Sequence, residues 1–160
     1  MNFAQFRYLK KQALTLDSDG NPQKRYDKCD AKMLSPLVLA YIGDAFFDLF
    51  IRTRLLDFEQ SKVRILHDYD AVIVSATMQS LAFQELEASL TEEEQALVRR
   101  GRNAKSNVPK SATVRDYRLS TGFEALLGHL YLTENVERLN EISEKAFVII
   151  SRAIAEKAKS

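Results

Sequence analysis

Two stretches set a carboxylate beside glycine inside otherwise apolar sequence: Ala40-Tyr41-Ile42-Gly43-Asp44-Ala45-Phe46-Phe47-Asp48 and Ser120-Thr121-Gly122-Phe123-Glu124-Ala125-Leu126-Leu127-Gly128. Glycine inside a helix costs about 1 kcal/mol relative to alanine, and an acid on an apolar face costs more unless it is paired or wet. Small residues let two backbones come close. A crossing of the two segments near Gly43 and Gly122 would therefore bring Asp44 and Glu124 together. Two carboxylates at a crossing repel unless a cation lies between them, and hard oxygen donors suit Mg²⁺ or Mn²⁺. A metal held in this way activates water for attack on a phosphodiester. The competing reading gives each acid a helix cap or an arginine partner instead.

The elements that must position these acids are helices. Glycine and proline are scarce, at 5 and 3 residues, and apolar side chains recur every three or four positions. Ser35-Pro36 is a helix start, with a hydroxyl to cap free amides and proline at the first position, and the helix is expected to run to about Asp57. A short helix around 62–67 and another over 71–90 follow. Thr91 and Glu94 make a capping box that opens a helix leading into basic sequence. A loop over 107–113 and helices over 116–132 and 134–157 complete an all-α domain, 34–157. Residues 1–33 form an N-terminal extension in which Asp17-Ser18-Asp19-Gly20-Asn21-Pro22 is a turn signal between segments able to pair as a hairpin. The same stretch lacks the further acids and the closing glutamate of a calcium loop.

With 160 residues, 46% hydrophobic and 28% charged, the chain has the balance of one globular domain with a core. Asp44 and Asp48 interrupt the apolar run from Leu37 to Ile51, which is too short to span a membrane. Cys29 is the only cysteine, so no internal disulfide can form, and the N-terminus lacks a long apolar segment. A cytoplasmic protein without a membrane partner is expected. Net charge is +1, yet between Arg99 and Arg118 seven basic residues stand against one acid, Asp116. Such a run serves either a polyanion or a solvated helix end. His67 and His129 are solitary and read as surface or satisfied histidines. Phe46, Phe47, Phe50, Phe83, Phe123 and Tyr131 fall at helical spacing and read as core or dimer contacts.

Leu39-Ala40-Tyr41-Ile42-Gly43-Asp44-Ala45 resembles the signature helix of the ribonuclease III family, and Phe123-Glu124-Ala125-Leu126-Leu127-Gly128 its second acidic helix. Arg100-Gly101-Arg102-Asn103-Ala104-Lys105-Ser106 and Tyr117-Arg118-Leu119-Ser120-Thr121 resemble stretches of its Mini-III subgroup. The resemblance spans about residues 34–150. It implies a ribonuclease III helical fold acting as a homodimer, with signature helices meeting across the two-fold axis. It also implies a Mg²⁺-dependent endoribonuclease that cuts double-stranded RNA to leave 5′-phosphate and 3′-hydroxyl ends. The expected substrate is the paired ends of the 23S ribosomal RNA precursor, with a large-subunit ribosomal protein as a further expected partner. Asp44 and Glu124 would be the catalytic, metal-holding residues; Arg100, Arg102, Asn103, Lys105 and Arg118 would hold RNA. Asp48, Ser120 and Thr121 are candidates for contact with water around the metal, although Asp48 is also spaced to pair with Arg52.

Where most family members carry two further acids, this chain has Ala40 and Thr121, as the Mini-III subgroup does. That leaves two protein carboxylates and implies more water around the metal. It also keeps open a second reading, a non-catalytic RNA-binding or ribosome-associated module on the same fold. Only 36 residues follow Glu124, which two helices consume, so no double-stranded-RNA-binding domain is expected and RNA affinity must come from the helical domain itself.

Overall fold

The computed structural model describes residues 7, 15–24, 26, 29–105, 107–110 and 112–159. The chain divides into two units, Met1–Asp30 and Ala31–Ser160, three residues ahead of the expected boundary. In the first unit, Leu16 and Pro22 form an isolated antiparallel bridge around a tight turn. Asp17 Oδ1 accepts from the amides of Asp19 and Asn21, both at 2.9 Å, and Gly20 takes the left-handed conformation at φ 82° that the turn needs. The hairpin expected there is described only at this turn, since residues 8–14 lie outside the described residues.

The described residues of the second unit carry six α-helices: α1 (Pro36–Leu55), α2 (Val63–Ile73), α3 (Ala76–Leu86), α4 (Glu92–Arg102), α5 (Val114–Leu132) and α6 (Val136–Lys157). One 3₁₀ turn, Glu87–Ser89, follows α3. The central element is α5. Its buried positions, among them Leu119, Phe123, Ala125, Leu126, Leu127 and Leu130, go right round the helix, because α1, α3 and α4 all pack on it. Phe47 of α1 meets Phe123 of α5 edge to face, with ring centroids 5.5 Å apart.

Helix starts follow the expected capping. The Ser35 hydroxyl accepts from Val38 N with Pro36 at the first position, and at Thr91 both halves of the capping box form. Thr113 caps α5 through Asp116 N at 3.0 Å, while the Asp116 carboxylate accepts from the hydroxyls of Thr113 and Ser80. The one acid of the basic segment is thus occupied in holding α5 to α3.

Two expectations change. The helix over 62–67 extends to Ile73, and the one over 71–90 begins only at Ala76. Ser75 causes the break: its hydroxyl donates to Val72 O at 2.7 Å and accepts from Met78 N, ending one helix and starting the next. The chain also turns sharply between α5 and α6, with Glu134 at φ 57°.

Candidate active site

Asp44 and Glu124 are brought together by the crossing of α1 and α5, but its glycines are not the expected pair. A Cβ on Gly43 would overlap the carbonyl oxygen of Glu124 and reach within 2.7 Å of Gly128 N. One on Gly128 would overlap Leu39 O and reach within 2.9 Å of Gly43 N. Gly43 and Gly128 are therefore the contact. Gly122 faces α4 instead: a Cβ there would lie 2.8 Å from Val98 O, and one on Gly101 2.8 Å from Gly122 Cα. Two glycine contacts on α5 draw in two different helices. One delivers Asp44 to Glu124, and the other delivers the basic end of α4 to the turn just before Glu124.

Glu124 is largely buried on α5, and its carboxyl pKa is pushed up from 4.5 to about 8, first by burial and then by the charge of Asp44. Only the nearby Gln79 side chain acts to lower it. Asp44 is exposed at the surface but its carboxyl is also raised, by partial burial and by the charge of Asp48. Among the described residues no cation acts on either acid. The pair is thus two hard oxygen donors of like charge without a described counter-ion, a set that suits a divalent cation keeping water in the rest of its shell. Among the described residues no third aspartate, glutamate, histidine or cysteine joins them to make a three-residue metal cluster.

The three expected neighbours have partners of their own. Asp48 pairs with Arg52 at 3.0 Å, and the same guanidinium reaches the buried Asp70 at 3.1 Å. The hydroxyls of Ser120 and Thr121 both donate to Tyr117 O, at 3.0 and 2.8 Å, and both side chains are buried, so neither is free to donate to a ligand. His67 is exposed. His129 is half-buried, its pKa lowered by burial and by the charges of Arg100 and Lys32.

Arg100, Arg102, Asn103, Lys105 and Arg118 are all exposed; Ser106, in the same stretch, lies outside the described residues. None of these four cations forms an ion pair among the described residues, unlike Arg52, Arg54, Arg138 and Lys145. Gln79 is a participant that sequence reasoning missed. It stands on the apolar face of α3 with Met78, Ala82, Phe83 and Leu86, all buried, and a polar residue embedded in that stripe was the available signal.

A profile of the Ribonuclease III domain matches residues 37–135, which include both acids and both glycine contacts. The chain belongs to the ribonuclease III family. Its branch is also clear. The Mini-ribonuclease 3 of Symbiobacterium thermophilum is 48% identical over 120 residues, covering 74% of this chain and 92% of that protein. The Mini-ribonuclease 3 of Thermoanaerobacter sp. is 48% identical over 118 residues, covering 73% and 83%. A crystal structure of a Fusobacterium nucleatum protein superposes with a TM-score of 0.66 at 33% identity, covering 72% of this chain and 89% of that one. As a Mini-ribonuclease III relative the chain is an endoribonuclease, all-α in its described residues, and none of its described helices is long and apolar enough to cross a membrane.

Proposed function

We propose that this ribonuclease III-family endoribonuclease cuts double-stranded RNA with Asp44 and Glu124 as its metal-holding pair. One observation carries the reading: a largely buried glutamate is held against a second carboxylate by two glycines that leave no room for a side chain, with no described cation to offset the charge. A fold selected for stability alone would place apolar groups there. Mg²⁺ or Mn²⁺ bound between them would neutralise the pair and supply activated water for hydrolysis to 5′-phosphate and 3′-hydroxyl ends. Asp44, at the surface, faces the incoming strand, while Glu124 is anchored in the packed centre of α5.

The cations of α4 and α5 support the RNA part of the proposal. Close packing at Gly101 and Gly122 sets Arg102 and Asn103 beside the turn preceding Glu124, where cationic and amide groups can hold phosphates and 2′-hydroxyls across a shallow minor groove. The proposed assembly is a homodimer, supported by the exposed apolar stripe Val38, Tyr41, Leu49 on the outer face of α1. Family membership supports the paired ends of pre-23S ribosomal RNA as substrate, and the lone thiol of Cys29 suits the cytoplasm.

Long double-stranded RNA incubated with purified protein, in Mg²⁺ or in EDTA, tests this reading alongside Asp44→Asn and Glu124→Gln. Wild type is expected to cut only with metal and both variants to lose cleavage while still retarding RNA on a gel. Variants that cut as fast as wild type would remove the metal assignment.

A further inference from the structure

We infer that Arg52, anchored on α2 by Asp70, is a positioning residue that holds Asp48 off the metal pair and so keeps water in the metal's shell. Asp48 stands one turn after Asp44 on α1, a spacing that puts both carboxylates on one face of the helix. The Asp48 charge is close enough to raise the Asp44 carboxyl. Left to itself, a third carboxylate so placed would swing toward a divalent ion on Asp44. It is turned to a different partner. Arg52 Nε donates to Asp48 Oδ2 at 3.0 Å, while Nη2 of the same guanidinium reaches Asp70 Oδ2 at 3.1 Å.

Two features separate this cluster from a simple brace. A brace between α1 and α2 needs only the contact of Arg52 with Asp70. The bond to Asp48 lies within α1, joins no two elements, and adds little stability where Arg52 is half-exposed. Its effect is on where Asp48 points. Asp70, for its part, is 5% exposed, and its Oδ1 has no hydrogen-bond partner among the described residues. An apolar side chain would pack better there, on the buried side of α2 with Ile73. What the buried acid contributes is a fixed guanidinium. A planar fork held at one nitrogen presents another in a set direction, whereas an arginine without such an anchor would hold Asp48 only part of the time.

This inference rests on the proposed metal pair, and its first readouts are taken without RNA. Arg52→Met/Asp70→Asn releases Asp48 while leaving net charge unchanged and no buried acid unpaired. Two carboxylates in an octahedral shell leave about four waters on bound Mn²⁺. In the double variant, water-proton relaxation is expected to count about one fewer, and electron paramagnetic resonance to show Mn²⁺ held at least about threefold more tightly. Adding Asp48→Asn should return the water count to the wild-type value. On double-stranded RNA, kcat of the double variant is expected to fall at least about fivefold with KM within about twofold, since a bound acid displaces water and offsets the metal's charge. A lower melting temperature with the wild-type water count would make the cluster a brace and overturn the inference. So would a raised KM with that count unmoved, which would give Arg52 to RNA. Should the double variant not fold, Asp48→Asn decides: its Mn²⁺ is expected to keep the wild-type number of waters, and one more would mean that Asp48 already sits on the metal. Wild type that binds no Mn²⁺ is failure of the metal pair itself, registered before any variant is compared, and the inference falls with it.

Discussion

Gly43 and Gly128 each occupy the space through which the other's helix passes. The atoms that a methyl group would strike are backbone, the carbonyls of Glu124 and Leu39, and cannot rotate away. Alanine in mid-helix is ordinarily worth about 1 kcal/mol over glycine, whereas forcing atoms into a packed crossing costs about 1–3 kcal/mol or more. Overpacking wins here. Gly43→Ala and Gly128→Ala are each expected to lower unfolding free energy in urea titrations by at least about 2 kcal/mol. A gain in stability would mean that the helices stand further apart.

Glu124 gives the metal-free protein a pH dependence. Its folded pKa, about 8, lies above its ordinary 4.5, so between these values the folded chain holds a proton that the unfolded chain releases. Stability therefore falls as pH rises through that window, and the loss is complete above it. Urea melts in EDTA at several pH values between about 5 and about 9 are expected to show this decline, and Glu124→Gln to flatten it. Saturating Mn²⁺ should also reduce it, since an ion that binds only the folded state stabilises that state. A wild-type profile that does not fall over this window would show that Glu124 is ionised without help.

How much of this was legible in the sequence follows from what periodicity can carry. Caps at Ser35 and Thr91 are local, reaching three residues ahead, and they mark two helix starts; the cap at Thr113 was read as the end of a loop, so that helix begins at Val114, two residues earlier than expected. The pairing of Asp44 with Glu124 was also readable, because glycine in an apolar helix demands a close neighbour. Which glycine meets which was not, since Gly122 and Gly128 differ only in the helix each faces, and that is settled by packing across the whole domain. Ser75 ended a helix that apolar spacing alone would have continued. Gln79 stayed hidden because its hydrogen-bond partner, Val74 O, lies outside its own helix.

Arg138 ties three elements together. It bonds to Glu94 through Nε and through Nη2, at 2.8 and 2.9 Å, and also reaches Glu141 and Ser89 O. Both partners of the Glu94 pair are mostly buried, with side chains 20% and 12% exposed. Arg138→Met leaves an acid with only its capping role, and a loss of about 1–3 kcal/mol is expected, below the figure for a wholly buried pair. The Arg138 hydrogen bonds hold the Glu94 carboxyl below its ordinary 4.5, so its contribution is present above that pH and lost as pH falls through the lower folded value. Acid unfolding of the variant should accordingly be less steep. Equal acid profiles would show the pair to be inert.

Arg102 and Lys105, exposed and without ion pairs among the described residues, are the proposed phosphate-binding side chains. Each phosphate they neutralise releases a counterion. The double alanine variant is therefore expected to bind RNA more weakly and to lower the slope of log affinity against log salt by roughly one for each cation removed. Because positioning of the acids is untouched, KM should rise and kcat hold. An unchanged slope would move the RNA surface away from the end of α4.

Helix α1 is apolar on both sides. Its inner face, Leu39, Ala40, Gly43, Phe47, Ile51 and Leu55, is buried in the domain, while Val38, Tyr41 and Leu49 stand 45, 76 and 64% exposed. Spacings of three and eight put these side chains along one stripe, with Ala45 between them. Exposed apolar side chains grouped on one side of a helix whose other side is already buried call for a second covering surface. In the proposed homodimer a two-fold axis would make one stripe serve both partners, so a single substitution would enter the interface twice. Leu49→Arg then sets two guanidinium groups against apolar neighbours, and sedimentation equilibrium is expected to give a dimer for wild type and a monomer for the variant. Asp44 lies on the same helix, so loss of the dimer should weaken RNA binding without changing cleavage chemistry in each subunit. A variant that sediments like wild type, or a wild type that is itself monomeric, would require another partner for this face.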